Sequence, residues 1–185
     1  MRILGLSGSL RRDSHNTSLL RAAANALPSG VELELYDGLD ELPHYNADLD
    51  VESAPDPVRW LREAIADADG VLIATPEYNG SIPGVLKNAL DWASRPFPDN
   101  ALRGKPVAVV GASTGMFGAV WAQAEVRKVL KTIGADVLDG ELPVPHAHIA
   151  FGDDGLLADD GMRNALDELV ALLTARAGAA EVVAT

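Results

Sequence analysis

The sequence predicts a doubly wound α/β domain on a parallel sheet. Three observations point there: short apolar runs without polar alternation, helix-spaced apolar stripes between them, and glycine- and hydroxyl-rich segments where the runs end. "RILGLS" at 2–7, "GVLIAT" at 70–75 and "PVAVVGA" at 106–112 are such runs. An unbroken apolar run suits a strand buried on both faces, as in a parallel sheet covered by helices.

In order along the chain, residues 2–7 form strand one, and Leu19, Leu20, Ala23, Ala24 and Leu27 then recur at helical spacing. "VELELY" at 31–36 is strand two, followed by a helix carrying Val58, Leu61, Ile65 and Ala68. Residues 70–75 form strand three, and "TPEYNGSIPGVLKNALDW" at 75–92 reads as the loop after it. Residues 106–112 form strand four, followed by a helix with Val126, Val129, Leu130 and Ile133. A fifth strand falls within 135–145, and Met162, Leu166, Leu169, Val170 and Leu173 mark the last helix. Each stripe gives a helix one apolar face to lay on the sheet. Alternating strand and helix implies right-handed crossovers and helices on both faces.

Residues 1–177 read as a single domain, and the small-residue tail 178–185 as frayed. The acidic segment "DGLDELPHYNADLDVESAPDP" at 37–57 is long for a connection, so it is either a functional wall or loosely ordered. Fifteen Lys and Arg against 27 Asp and Glu give a net charge of −12, which opposes attraction to nucleic acid or an anionic membrane. With no cysteine, disulfides, thiolate metal sites and a cysteine nucleophile are excluded, so any redox chemistry comes from a bound cofactor. No apolar run approaches the roughly 18 residues of a membrane span, and the first residues are too short an apolar run for a signal peptide; a cytoplasmic protein is expected.

In an open parallel sheet, ligands bind beyond the carboxyl ends of the strands where strand order reverses. The loops after strands one, three and four are therefore the candidate site. "GLSGSLRRDSHNTS" at 5–18 matches neither the GxGxxG nor the GK[ST] phosphate loop. It leads into a helix near Asn16, whose N-terminus presents unpaired N–H groups and partial positive charge. The hydroxyls of Ser9 and Ser14 and the fork of Arg11 complete a cradle for one phosphate. Taken alone, the loop reads equally as a polar turn with a capped helix.

In the second loop, Gly80 and Gly84 let the backbone approach a flat ligand, Tyr78 can flank a ring, and the Asn79 amide can meet a heterocycle edge; alone, Tyr78 and Asn79 are an ordinary turn pair. Gly111, Gly115 and Gly118 remove bulk beside the same crevice. Three such loops at one switch point favour a planar cofactor with one phosphate.

Together, "GSLRRDSHN", "LPHYNADLD", "TPEYNGSIPGVLKNALDW" and "ASTGMFG" resemble the NADPH-dependent FMN reductase family, with its quinone and chromate reductases and azoreductases. The resemblance implies a flavodoxin-like five-stranded sheet of order 2-1-3-4-5, FMN as cofactor and NADPH or NADH as co-substrate. It also implies a small-molecule electron acceptor such as a quinone, an azo compound, a metal oxyanion or free flavin, and a homodimer or homotetramer. By motif, Ser9, Arg11, Ser14, Asn16 and Thr17 hold the phosphate. Pro76, Glu77, Tyr78, Asn79 and Gly80 line the isoalloxazine, and Ser113, Thr114 and Gly115 close its other edge. His15 receives no role. The flavin carries the chemistry, so no catalytic side chain is named.

Other constellations read as structure. His146 and His148 share a strand-end face without a third ligand, and no metal is expected; Asp159 or Asp160 caps the last helix. Trp92, Phe97, Phe117 and Trp121 suit the core and a subunit interface equally. A one-electron carrier like flavodoxin is the alternative function, although flavodoxins have a Thr-rich TGxT phosphate loop.

Overall fold

In the computed structural model, which describes residues 1–51 and 53–183, the chain runs β1 (Arg2–Ser7), α1 (His15–Asn25), β2 (Glu32–Tyr36), α2 (Asp56–Asp67), β3 (Gly70–Thr75) and α3 (Gly84–Ala93). It continues with β4 (Pro106–Ala112), α4 (Val120–Ile133), β5 (Asp136–Val137), β6 (Pro143–Val144) and α5 (Asp160–Val183). The strands lie in the order β2-β1-β3-β4-β5, and every pairing is parallel. Ile3 sits beside Leu33 and Gly70, and Val71 beside Val107.

The fifth strand position is split. β5 pairs with Pro106 and Val107 at the start of β4, and β6 pairs with Gly111 and Ala112 at its end. Between them Gly140 takes φ 150°, which bends the chain out of strand geometry while Leu138 and Leu142 stay buried.

Side chains on a strand alternate between faces, and β4 divides accordingly. Val107 and Val109 join Val58, Leu61, Ile65, Leu86, Val126 and Leu130 under α2, α3 and α4. Ala108 and Val110 join Leu19, Leu20, Leu166, Val170 and Leu173 under α1 and α5. β3 and β4 are buried at every position, whereas the edge strand β2 has no fully buried residue.

Helix α3 corrects the expectation of a loop over residues 84–92. Leu86, Ala89, Leu90 and Ala93 form its buried stripe, and Pro83 at φ −61° sets its start without a side-chain cap. Trp92 belongs to the core: it is fully buried and its Nε1 donates to the Pro43 carbonyl at 2.8 Å. Phe97, Phe117 and Trp121 are exposed, so these four aromatics divide between core and surface.

The acidic segment is a wall clamped to α3 and α2. Tyr45 N–H donates to Asn88 Oδ1 at 2.8 Å, Asn88 Nδ2 donates to the Pro43 carbonyl at 3.0 Å, and Arg62 pairs with Asp50 at 2.7 Å. At the other end of the chain, α5 starts on Asp159, whose Oδ1 accepts from Met162 N–H at 2.8 Å. α5 then continues to Val183, so residues 178–183 are helical where a frayed tail was expected. The run is rich in alanine, the best helix former, and extends a helix already packed through Ala177. Residues 184 and 185, and Glu52 in the acidic segment, lie outside the described residues. No helix among the described residues is long and apolar enough to cross a membrane.

Candidate functional site

The chain winds outward from β1 to β2, then crosses back to β3 and on to β4, so the loops after β1 and β3 part company. At the carboxyl ends of β1, β3 and β4 they leave a cleft of about 260 Å³. Its lining includes Ser9, Arg11, Ser14, Asn16, Pro76, Glu77, Tyr78, Ser113 and Thr114 from the sequence-based set, joined by His15 and Ala112. Thr17, Asn79, Gly80 and Gly115 do not line it.

The first loop is held by short-range bonds. Ser14 is extended at φ −72°, ψ 125°, and its Oγ accepts from the N–H groups of Asn16 and Thr17 at 3.2 and 3.3 Å, which makes it the N-cap of α1. Ser9 Oγ accepts from Arg11 N–H at 3.4 Å. The Thr17 hydroxyl lies 2.9 Å from that of Ser7. No acidic residue occupies the first turn of α1, so the positive end of its dipole is uncompensated.

Asn16 also ties two of the loops together. Its side chain is buried: Oδ1 accepts from Ala112 N–H at 2.9 Å and Nδ2 donates to the Ala112 carbonyl at 3.0 Å. Both ends of the amide meet the end of β4, so Asn16 ties the first loop to the third and keeps one Nδ2 hydrogen beside the cleft it lines. Thr17 spends its hydroxyl on Ser7 and faces the neighbouring groove beside Leu35 and Tyr36.

The second loop is a tight hairpin. Tyr78 and Ser81 exchange both backbone bonds, 3.0 and 3.1 Å, and the two residues between them have positive φ, Asn79 at 56° and Gly80 at 74°. Asn-Gly is the pair such a left-handed two-residue turn favours. Asn79 and Gly80 therefore form the exposed tip, while Pro76, Glu77 and Tyr78 face the cleft.

Two carboxylates latch this hairpin to α4. The helix begins at Ala119 (φ 63°) with no cap of its own, and Glu77 Oε2 accepts from Trp121 and Ala122 N–H at 3.0 and 3.1 Å. In return Glu125, from α4, accepts from the Ser81 hydroxyl and from Ile82 N–H at 3.4 Å. The Ser81 bond, followed by the Ile82 bond, holds the Glu125 carboxyl below its ordinary pKa. Nothing local in the sequence announces either contact, each of which spans more than 40 residues.

The third loop shows why its glycines are there. A Cβ on Gly111 would meet Gln123 and the Thr75 carbonyl at 2.9 Å, and one on Gly118, at φ 57°, would meet the backbone of Pro143 and Val144 at 2.6 Å. Both serve close packing within the protein and not room for a ligand. Gly84 has open space around it at the start of α3. Gly115 N–H donates to Ser113 Oγ at 3.2 Å, and Ser113 and Gly115 carbonyls accept from Ala147 and His146 N–H at 3.0 and 3.1 Å. His146 and His148 stand edge to face at 6.4 Å.

The donor set is suited to a flat molecule with one anionic end. Hydroxyls, a guanidinium and a helix N-terminus gather at one end, and the walls at the other are Pro76, Tyr78, Ala112, Ser113 and Thr114. The one carboxylate in the lining, Glu77, is turned to the N-terminus of α4. The cleft therefore carries local positive character within a chain of net charge −12.

The family model of the NADPH-dependent FMN reductases matches residues 1–149. An NAD(P)H-dependent FMN reductase of Pseudomonas aeruginosa is 43% identical over 169 residues, 91% of this chain and 90% of that one. A 2-hydroxy-1,4-benzoquinone reductase of a Burkholderia species is 40% identical over 167 residues, 90% of each chain. Among solved structures, FerB of Paracoccus denitrificans, a flavoenzyme NAD(P)H:acceptor oxidoreductase, superposes with a TM-score of 0.83 at 35% identity, covering 96% of this chain and 97% of that one.

Proposed function

The chain belongs to the NADPH-dependent FMN reductase family, and from that premise we propose that its cleft seats FMN with the phosphate at the N-terminus of α1 and the ring between the second and third loops. It is an NAD(P)H-dependent FMN oxidoreductase of the quinone reductase type, not a one-electron carrier. Bound FMN supplies the redox chemistry, a ring able to take a hydride from reduced nicotinamide and hand two electrons to an acceptor.

The chain's own residues bind and orient. Arg11 offers a planar, permanently charged fork to phosphate oxygens, and Ser9 and Ser14 offer hydroxyl protons. Ser14 does this while its oxygen lone pairs hold the first turn of α1. Pro76, Glu77 and Tyr78 present one wall, and Asn79 and Gly80 the turn that shapes it. Ser113, Thr114 and Gly115 present the other. Backbone N–H groups of the second loop that are not spent within the hairpin would stabilise negative charge on the bound ring. Asn16 and Thr17 serve by fixing the loop.

A quinone is the acceptor class the relatives favour, and the cytoplasm, which holds the NAD(P)H pool, is the setting. Met116, Phe117 and Trp121 are each at least half exposed beside the cleft, with the last two rings edge to face at 4.8 Å. That apolar surface suits a second copy of the chain, so the working unit is a homodimer or homotetramer.

The observation that carries the reading is the Ser14 cap beside Arg11 at the switch-point cleft. Titration of purified protein with FMN and with riboflavin, followed by NADPH and NADH oxidation with a benzoquinone, tests it. FMN is expected to bind at one per chain and much more tightly than riboflavin, with quinone-dependent turnover. Equal affinity for the two flavins would overturn the phosphate seat.

A further inference from the structure

One histidine left without a role lines the cleft, and a second lies within electrostatic reach of it. His15 is the first residue of α1 and lines the cleft with Arg11 and Ser14. Its ring lies parallel to that of Phe151, 7° between planes and 6.5 Å between centroids, on the segment that follows β6. His148 is on the same segment, which Ala147 and His146 tie to Ser113 and Gly115 in the third loop. The groups that bear on the His15 imidazole are Arg11, from its own loop, and His148, from the segment after β6. No carboxylate pairs with it among the described residues.

We propose that His15 is a ligand of the FMN phosphate that takes a proton from solvent as the phosphomonoester dianion binds, with His148 as an outer neighbour. The inference rests on the FMN reading above and deepens it, because it names a residue that selects FMN over its phosphate-free analogue. Burial, then Arg11, then His148 hold the imidazole below its ordinary pKa while no anion is present. The ring is therefore harder to protonate in the free protein than an ordinary imidazole. A dianion placed among these groups reverses the sign of the local field and raises the pKa. The sign of the linkage follows: His15 is more basic in the complex, so affinity is greater at the acid end of the window and declines as pH rises through the raised pKa. The phosphate itself titrates near pH 6, so the useful window lies above about 6.5.

The full chain is titrated calorimetrically with FMN and with riboflavin at pH 7.5, in two buffers of different ionisation enthalpy, and the dissociation constants are followed from pH 6.5 to 8.5. FMN binding is expected to take up a fraction of a proton and to weaken about threefold to tenfold over that range, since raising the pKa by about one on binding corresponds to a factor of ten in affinity. Riboflavin binding should show neither effect. His15→Gln should abolish the uptake and flatten the FMN profile while riboflavin affinity stays as in the parent, which reports an intact cleft. His148→Gln should leave the uptake in place. Preference for FMN with equal proton uptake by the parent and His15→Gln overturns the inference and leaves the FMN reading standing. Loss of uptake in His148→Gln alone also overturns it. No preference for FMN over riboflavin in the parent overturns the FMN reading itself. Should His15→Gln not fold, the His15 Hε1 resonance of the parent decides instead: its pKa should rise on adding FMN, and an unmoved pKa overturns the proposal.

Discussion

The two loops that flank the cleft are held in opposite ways. The first, residues 7–17, is organised largely from within: Ser14 caps the helix that follows it, Ser9 meets Arg11, and Thr17 meets Ser7. The hairpin at 76–82 draws only its turn from its own residues, and its attachment comes from α4, through Glu77 and Glu125. Local bonds can be read from neighbouring letters, whereas distant ones need the fold first. Gly8 N–H reaches the Ala74 carbonyl at 2.8 Å, and among the side chains of the first loop the Asn16 bond to Ala112 is the exception.

That exception gives the largest expected effect. Asn16→Ala leaves the buried N–H and carbonyl of Ala112 without partners, at about 1–3 kcal/mol for each unsatisfied group. A loss of about 2–4 kcal/mol in urea unfolding is expected, and FMN and riboflavin should weaken together with their ratio unchanged. Selective loss of FMN would return Asn16 to the phosphate. Next comes Arg11→Ala, where an exposed side chain with no ion pair among the described residues is removed. Unfolding should not change, and FMN should weaken about tenfold to a hundredfold against an unchanged riboflavin, the worth of a charge-assisted bond. An FMN to riboflavin ratio equal to the parent's would show that the first loop binds without its cation.

Much of the fold was legible because the continuous apolar runs of β1, β3 and β4 and the stripes of α1, α2, α4 and α5 are what a covered parallel sheet requires. Helix α3 was not, because it opens on Pro83 and Gly84 and has no hydroxyl or carboxylate cap, so its first turn looks like the end of a loop. Trp92 could not be divided from Phe117 and Trp121 on composition. What separates them is the Pro43 carbonyl that satisfies one indole, and that partner comes from the acidic segment folded over α3. In the site, a capped helix after the first loop and a turn in the second were visible in the local pattern, but the turn expected at Tyr78 and Asn79 is centred one residue further on, at Asn79 and Gly80. Glu77 was visible as a loop residue, but not as the cap of a helix lying over 40 residues further along the chain.

Glu77 supplies a sharper test of the contrast. Glu77→Ala should uncover the first N–H groups of α4 and cost about 1 kcal/mol, the usual worth of a helix cap. Glu77→Gln keeps an acceptor oxygen and should cost less. Hydrogen exchange at Trp121 and Ala122 should speed up in the alanine variant. Both flavins should loosen to a similar degree, because the wall moves and the phosphate seat does not. Unchanged exchange at those amides would mean that α4 holds its start without the hairpin.

The smallest effect belongs to Glu125, and it depends on pH. Its carboxyl is held below the ordinary range by the Ser81 hydroxyl first and by Ile82 N–H after it. A group whose folded pKa is depressed stabilises the fold above its unfolded pKa, about 4.3 for a glutamate, and that contribution is lost as pH falls through the lower folded value. Glu125→Gln keeps the shape and one acceptor oxygen but removes the charge. The parent should therefore unfold at a slightly higher urea midpoint than the variant at pH 7, and the gap should close as pH is lowered below about 4. Since the carboxylate is exposed, the gap at neutral pH should also shrink in high salt. A gap that stays constant between pH 7 and acid would mean that the latch works by hydrogen-bond geometry alone. The hairpin would then be held, like the first loop, without help from charge.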